Sequence, residues 1–123
     1  MRAIKSRDTL PEKAVRRLVR QFGVGYRLNY PLLGKPDLTF VGRRKVIFVH
    51  GCFWHQHGCS SVRSPKSNQS YWEPKLARTK ERDRLVIEGL ASLGWSSLVI
   101  WECELKDEVK LLRFLKEFLL PAP

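Results

Sequence analysis

The sequence predicts an α/β domain with a central mixed β-sheet flanked by α-helices. Residues 46–49 form an apolar run, rich in β-branched side chains, that is typical of a buried strand. A second such run, over residues 38–41, precedes it across a tight turn at Gly42 and Arg43, which predicts an antiparallel hairpin. Residues 95–101 form a third run after a helical segment, and a crossing helix favours parallel pairing.

Three amphipathic segments predict the helices. Thr9 and Glu12 fit a capping box that opens a helix ending near residue 22. A second helix is expected over residues 75–93, after a proline and before a glycine, and Asp107 is the expected cap of a third that ends near residue 120. The remaining segments are read as a short strand and a polar loop, over residues 24–28 and 60–70.

Length and charge restrict the class of protein. A chain of 123 residues predicts one domain spanning residues 1–123. The 23 Lys and Arg residues against 12 Asp and Glu give a net charge of +11, which favours a polyanionic partner such as nucleic acid over a generic solvated surface. No apolar run approaches the roughly 18 residues of a membrane span and no signal peptide is evident, so we expect a cytoplasmic protein.

The three cysteines and a nearby histidine predict a structural zinc site. Cys52, His57 and Cys59 lie in one short stretch, and Cys103 follows the third predicted strand. Three thiolates and one imidazole are the ligand set of a closed tetrahedral zinc centre. A set of buried thiols without metal is the alternative. Bound zinc would hold the stretch after residue 49 against the third strand.

Candidate catalytic residues lie around the end of the second strand. His50 and His55 have side chains whose unperturbed pKa lies nearest neutral pH, so both are candidates for proton transfer. Asp37 opens the hairpin strand and is expected beside the end of its partner, near His50. An aspartate after a proline is often only a turn residue, and a metal-binding carboxylate is the functional alternative.

Aromatic side chains among basic residues predict contacts with nucleic acid. Phe53 and Trp54 are adjacent, and Trp72 follows a basic polar stretch. Such rings can stack on bases, although Trp72 could equally belong to the core. A candidate phosphate-binding face follows on the second helix, at Arg78, Lys80, Arg82 and Arg84.

Short motifs across nearly the whole chain resemble those of one enzyme family. They are R-D-T-x-x-E-K at 7–13, G-x-P-D at 34–37, V-I-F-x-H-G-C-F-W-H at 46–55, H-x-C at 57–59, E-R-D at 81–83, L-G-W at 93–95 and W-E-C at 101–103. In this order they resemble the very-short-patch repair endonucleases, which nick DNA beside a T:G mismatch. The resemblance implies a restriction-endonuclease-like fold, with a mixed sheet between helices.

The resemblance also implies roles for individual residues. Asp37 and the backbone carbonyl of Val49 would hold a catalytic Mg²⁺ ion on the scissile phosphate. His55, oriented by Glu12, would activate the attacking water, and His50 would assist near the phosphate or the leaving group. A structural Zn²⁺ ion would be held by Cys52, His57, Cys59 and Cys103.

The substrate implied by the resemblance is double-stranded DNA that carries a T:G mismatch. Phe53, Trp54 and Trp72 match an aromatic trio that wedges into the duplex, and a wobble pair unstacks at lower cost than a Watson–Crick pair. Other mismatch-repair proteins are further candidate partners, and we expect a monomer acting in the bacterial cytoplasm at the nucleoid.

The chain departs from the expected pattern in three places. The strand that in this fold normally carries acidic-x-Lys reads Phe48-Val49-His50, and Val49 stands where threonine is usual. Family members also carry a longer DNA-gripping arm before the stretch that starts at Met1, so we expect weaker affinity or mismatch selectivity. If only the backbone oxygen of Val49 is used, its side chain matters little.

Two other functions fit parts of the sequence. One is a restriction or phage-defence endonuclease of the same fold, which would cleave without T:G preference. The other is a zinc-stabilised DNA-binding module without catalysis. The presence of Glu12, Asp37, His50 and His55 together argues against the module, because a pure binding protein requires none of them.

Overall fold

The computed structural model describes residues 9–51 and 69–120, with side chains described over 9–51 and 74–120. Within these residues the helices and strands follow in the order α1 (Leu10–Arg20), β1 (Leu38–Phe40), β2 (Lys45–His50), α2 (Gln69–Ser92), β3 (Ser96–Trp101) and α3 (Glu108–Leu119). Two short 3-10 helices, Val41–Arg43 and Glu102–Lys106, lead from β1 to β2 and from β3 to α3.

The sheet has the strand order β1-β2-β3. β1 pairs antiparallel with β2, with Leu38 opposite Ile47, and β2 pairs parallel with β3, with His50 beside Trp101. The predicted mixed sheet is therefore confirmed. The parallel pairing follows from the chain path, because α2 connects β2 to β3 and returns the chain to the end of the sheet at which β2 begins.

The strand predicted over residues 24–28 is wrong. Only Arg27 bridges to the sheet, by a reciprocal pair of backbone hydrogen bonds with Thr39 of 2.9 and 3.0 Å. The apolar pattern instead reflects packing, since Val24 is buried and the Tyr26 ring lies edge-on to Phe40. The apolar side chains of this segment pack into the core although its backbone forms only one bridge to the sheet.

Alternating side chains divide the core between the two faces of the sheet. Ile47 and Ile100 point towards α1 and α3, whereas Val46 and Phe48 point towards α2. The larger cluster also contains the buried side chains of α1 and α3, at Val15, Leu18, Val19, Leu111, Leu115 and Leu119. The smaller cluster is completed by Leu90 of α2. The domain thus has three layers, with the sheet in the middle.

The predicted helix caps are present. Thr9 Oγ1 accepts from the N–H of Glu12 at 3.3 Å, and Asp107 Oδ1 accepts from the N–H of Lys110 at 3.1 Å. At the other end of α3, Arg43 donates to the Leu119 carbonyl at 3.2 Å and Lys45 donates to the Phe118 carbonyl. Basic groups at a helix C-terminus satisfy its last carbonyls, so the hairpin is fastened to α3.

The start of α2 differs from the prediction by six residues. The sequence placed it after Pro74 because proline lacks an N–H donor, whereas the helix begins at Gln69 and continues through Pro74. Pro74 is the sixth residue of the helix, beyond the first four N–H groups that lack an intrahelical acceptor, so the helix continues there without the bond that another residue would donate to the Ser70 carbonyl. Among the described residues, no helix is both long and apolar enough to cross a membrane.

Candidate active site

The candidate site lies at the end of β2, where the consecutive residues Val49 and His50 face opposite sides of the sheet. The buried imidazole of His50 points towards α2, together with Phe48 two residues earlier. Val49 packs on the opposite side, against the core shared with α1 and α3. Because neighbouring residues on a strand face opposite ways, one strand end serves two groups of polar side chains.

On the α1 side, Asp37 is bonded to the end of β2. Its backbone N–H donates to the Ile47 carbonyl at 3.1 Å, and its Oδ2 accepts from the Val49 N–H at 2.6 Å. This neighbourhood is the one the hairpin predicted. In an antiparallel pair the N–H and C=O of one residue face the same neighbouring strand, so the Val49 carbonyl is directed to the same side as Asp37.

Glu12 brings a second carboxylate to Asp37. It lies in the first turn of α1, is only 5 % exposed, and is hydrogen-bonded to the Asp37 carboxyl. Its Oε2 also accepts from Arg16 at 3.3 Å. The sequence assigned Glu12 to the capping box, and its N–H does serve the Thr9 cap. Its carboxylate, however, joins the site.

The surroundings of Asp37 raise the pKa of its carboxyl from 3.8 to about 7. Burial is the largest cause, because it penalises the charged form, and the neighbouring Glu12 charge adds to it. The Val49 N–H and the Arg16 guanidinium act in the opposite direction, since both stabilise the carboxylate. The pKa of Asp37 thus lies near neutral pH because two carboxyl groups share one partly desolvated site.

On the α2 side, two aromatic rings and a carboxylate surround His50. The Trp101 ring meets it edge-on with centroids 5.2 Å apart, and the Phe48 ring lies 5.8 Å away. Asp83 of α2 places Oδ2 at 4.0 Å from His50 Nδ1. That separation exceeds a direct hydrogen bond, and the two groups form an ion pair only when the imidazole is protonated. These three groups fix the ring plane of the His50 imidazole, which is 8 % exposed.

Three residues of this arrangement were not assigned to the site from the sequence. The spacing of four between Glu12 and Arg16 allows the observed pair, but nothing in the sequence selects Arg16 among the arginines of α1. Asp83 lies among basic residues in the sequence, and no signal there selects it for the site. Trp101 was read as strand core, and only the parallel register beside His50 reveals its contact.

The basic face predicted on α2 is only partly available. Arg84 is bonded to two carboxylates of its own helix, Glu81 and Glu88, the latter at 2.6 Å. Both pairs are about half exposed, so water screens them, but they compete with phosphate for the guanidinium, and the binding of phosphate by Arg84 stays a prediction. The other cations of that set, Arg78, Lys80 and Arg82, are exposed.

Several predicted site residues lie outside the described residues. They are Cys52, Phe53, Trp54, His55, His57 and Cys59, together with the side chain of Trp72. Cys103 is described: it is half-buried, at the start of the 3-10 helix after β3. Over the described side chains, no three His, Cys, Asp or Glu residues form a metal-binding group. The four-ligand zinc site stays a prediction, because three of its members are not among them.

The chain is similar to several endonucleases. The family model described as DNA mismatch endonuclease Vsr matches residues 1–61. The type II nicking enzyme V.XorIIP of Xanthomonas oryzae is 45 % identical over 123 residues, covering 99 % of this chain and 90 % of that protein. The DNA mismatch endonuclease Vsr of Escherichia coli is 42 % identical over 112 residues, covering 90 % of this chain and 72 % of that protein.

The chain belongs to the Vsr family of DNA mismatch endonucleases. A third relative, the type II nicking enzyme V.NaeI of Lentzea aerocolonigenes, is 42 % identical over 119 residues, covering 89 % of this chain and 69 % of that enzyme. This member of the Vsr family is therefore a DNA endonuclease of the strand-nicking kind. The resemblance in the sequence motifs is confirmed.

A solved structure supports the fold assignment. The catalytic domain of the homing endonuclease I-Bth0305I superposes with a TM-score of 0.65 over 92 % of this chain and 96 % of that domain, at 21 % identity. Likeness at this identity concerns the fold alone. It fits the restriction-endonuclease-like architecture expected from the sequence, a small α/β domain around a mixed sheet.

Proposed function

We propose that this Vsr-family chain nicks one strand of duplex DNA beside the thymine of a T:G mismatch, in a reaction that requires Mg²⁺. The observation that carries the proposal is the juxtaposition of Asp37 with the backbone of Val49 at the end of β2, where the Val49 N–H lies 2.6 Å from Asp37 Oδ2. The similarity to the DNA mismatch endonuclease Vsr of Escherichia coli supports the choice of substrate.

The donor set suits magnesium. Mg²⁺ prefers carboxylate and carbonyl oxygens and takes few protein ligands beside the substrate phosphate, which fits Asp37 and the Val49 carbonyl. The pKa of Asp37 near 7 supports the same assignment, because a carboxylate whose charge is poorly compensated gains from a bound cation. When bound, Mg²⁺ would neutralise charge that develops on the phosphate and the 3′ oxygen.

The two histidines would move the protons of the hydrolysis. We propose that His55 takes a proton from the attacking water, whose oxygen bonds to phosphorus while the bond to the 3′ oxygen breaks. His50, held beside Asp83 and Trp101, would assist at the phosphate or the 3′ oxygen. The products would be a 3′ hydroxyl and a 5′ phosphate. Glu12 would orient His55.

Recognition of the mismatch is assigned to the aromatic trio Phe53, Trp54 and Trp72, which would wedge beside the wobble pair. The net charge of +11 would supply sequence-independent attraction to the phosphates. A Zn²⁺ ion on Cys52, His57, Cys59 and Cys103 would hold the aromatic stretch in place. These assignments rest on the family and on charge.

The decisive experiment follows single-strand nicking of an end-labelled duplex that carries one T:G mismatch, with the matched T:A duplex as control. Both are incubated with Mg²⁺ or with EDTA. Asp37→Asn tests the metal ligand, and Asp107→Asn is its matched control, because Asp107 is an exposed helix cap and asparagine caps helices equally well.

We expect a Mg²⁺-dependent nick at the T:G duplex alone, lost in Asp37→Asn and retained in Asp107→Asn. Cleavage of both duplexes would reject mismatch specificity and favour the restriction or defence alternative. Nicking that persists in EDTA would reject the proposed metal site.

A further inference from the structure

Two neighbouring arginines of α1 differ sharply in their surroundings. Arg16 pairs with Glu12 at 3.3 Å, and the two side chains are only 13 % and 6 % exposed. Arg17 pairs with Glu108 at 3.0 Å, but those side chains are 55 % and 50 % exposed. Water screens the second pair, whereas the first acts through a medium of lower dielectric constant. Of these two arginines, Arg16 is therefore the one whose charge is less screened by water.

The effect of the Arg16 charge extends beyond Glu12. Arg16 lowers the pKa of Asp37 although its hydrogen bond goes to Glu12, while the Glu12 charge raises the same pKa. Glu12 and Asp37 are hydrogen-bonded neighbours and repel each other when both are ionised. The Arg16 guanidinium thus places a positive charge beside this pair and offsets part of the repulsion.

We propose that Arg16 is the resident cation of the Glu12–Asp37 pair: it holds the two carboxylates together before a divalent cation binds and makes that cation bind more weakly. The proposal rests on the proposed function in one respect, namely that Asp37 is a metal ligand. Arg16 is then a positioning residue, because it acts through the carboxylates and not on the DNA.

The sign of the effect on cation binding follows from charge. A fixed positive charge repels Mg²⁺ twice as strongly as it repels a single proton at the same place. Removing Arg16 therefore strengthens Mg²⁺ binding even where the cation must displace one proton. Without the guanidinium, the folded chain would also depend more on the bound ion for its stability, since uncompensated carboxylates destabilise it.

The test compares Arg16→Met with Arg17→Met, which removes the same charge from the next residue of the same helix. Thermal unfolding is followed in EDTA and across a Mg²⁺ titration, and Mg²⁺ affinity is measured by calorimetry. We expect Arg16→Met to unfold at lower temperature than Arg17→Met in EDTA. We also expect it to bind Mg²⁺ about tenfold more tightly than the wild-type chain.

Arg16→Lys guards against a general folding defect. It keeps the charge and shortens the reach, so its Mg²⁺ affinity should stay within about threefold of wild type. Adding Asp37→Asn to Arg16→Met should remove the gain in Mg²⁺ affinity, which would place the effect at this pair.

The outcomes separate this inference from the proposed function. If the wild-type chain binds Mg²⁺ and Arg16→Met binds it equally or more weakly, the inference is wrong while the proposed metal site stands. If Arg16→Met and Arg17→Met behave alike in both measurements, the inference is likewise wrong. A wild-type chain that neither binds Mg²⁺ nor needs it for nicking would overturn the metal site and this inference together.

Discussion

The N–H of Val49 donates to Oδ2 of Asp37 at 2.6 Å, so the side chain of one hairpin strand completes the hydrogen bonding of the other. A backbone carbonyl would normally accept at this point of an antiparallel ladder. Here the ladder ends in a carboxylate, which holds a charged group at the sheet edge beside Glu12. Several expectations follow from the position of this carboxylate and of the imidazole behind it.

Replacing Asp37 by asparagine should stabilise the fold while abolishing nicking. Because the folded pKa of about 7 lies above the unfolded value of 3.8, the protonated carboxyl contributes stability that is fully present below about pH 4 and is lost as pH rises past 7. The difference is up to about 4 kcal/mol. In EDTA, Asp37→Asn should therefore be more stable than wild type at pH 8 and similar at pH 4.

Denaturant unfolding across this pH range is the measurement, with Asp107→Asn as control. The control should follow the wild-type pH dependence, since Asp107 is an exposed cap. A constant offset between Asp37→Asn and wild type at all pH values would contradict the assigned pKa.

Asp83 should act on nicking through His50. Asp83→Asn removes the charge 4.0 Å from Nδ1 and should lower kcat about 10- to 100-fold with little change in KM. In the double-mutant cycle, Asp83→Asn should cost almost nothing once His50 is alanine. Additive losses in the two single variants would mean that Asp83 serves DNA binding or folding instead.

Trp101 should set the orientation of the His50 ring. Trp101→Leu removes the edge-on contact at 5.2 Å and should lower kcat about tenfold, whereas Trp101→Phe should retain most activity because an aromatic ring remains. Trp95→Leu is the matched control: Trp95 packs on the same α2-facing cluster at the other end of β3. It should lose stability with kcat preserved, and an equal loss of kcat there would argue against a specific contact.

Cys103 should be required for zinc and for stability together. We expect purified protein to contain about one Zn²⁺ per chain, and Cys103→Ser to lose it and to unfold at lower temperature. Elemental analysis and thermal unfolding are the measurements, with chelator-treated wild type for comparison. A Cys103→Ser variant that keeps its zinc would assign the fourth ligand elsewhere.

The sequence predicted the sheet well because its signals are local. The runs at 38–41, 46–49 and 95–101 correspond to β1, β2 and β3, and the tight turn and the intervening helix determined their directions. The segment 24–28 misled because burial of Val24 and Tyr26 imitates a strand. At α2, Pro74 led to the prediction of a helix start six residues later than the one observed.

The site could be predicted only where residues close together in the sequence form it. Asp37 and His50 could be placed together because the hairpin register brings them to one end of the sheet. Arg16 and Asp83 lie on helices, and which of several charged residues on a helix turns inward depends on packing across the sheet. Their sequence spacing allows the observed pairs but does not select them from the other Arg and Asp residues.

The division at the end of β2 has a consequence for how the enzyme can change over time. Val49 anchors the acidic group on the α1 face, and His50 anchors the imidazole on the α2 face. Substitutions in one outer layer leave the polar group on the other face in place, so the two groups can change independently. Insertion of a single residue into β2 would instead exchange the two faces and displace both groups at once.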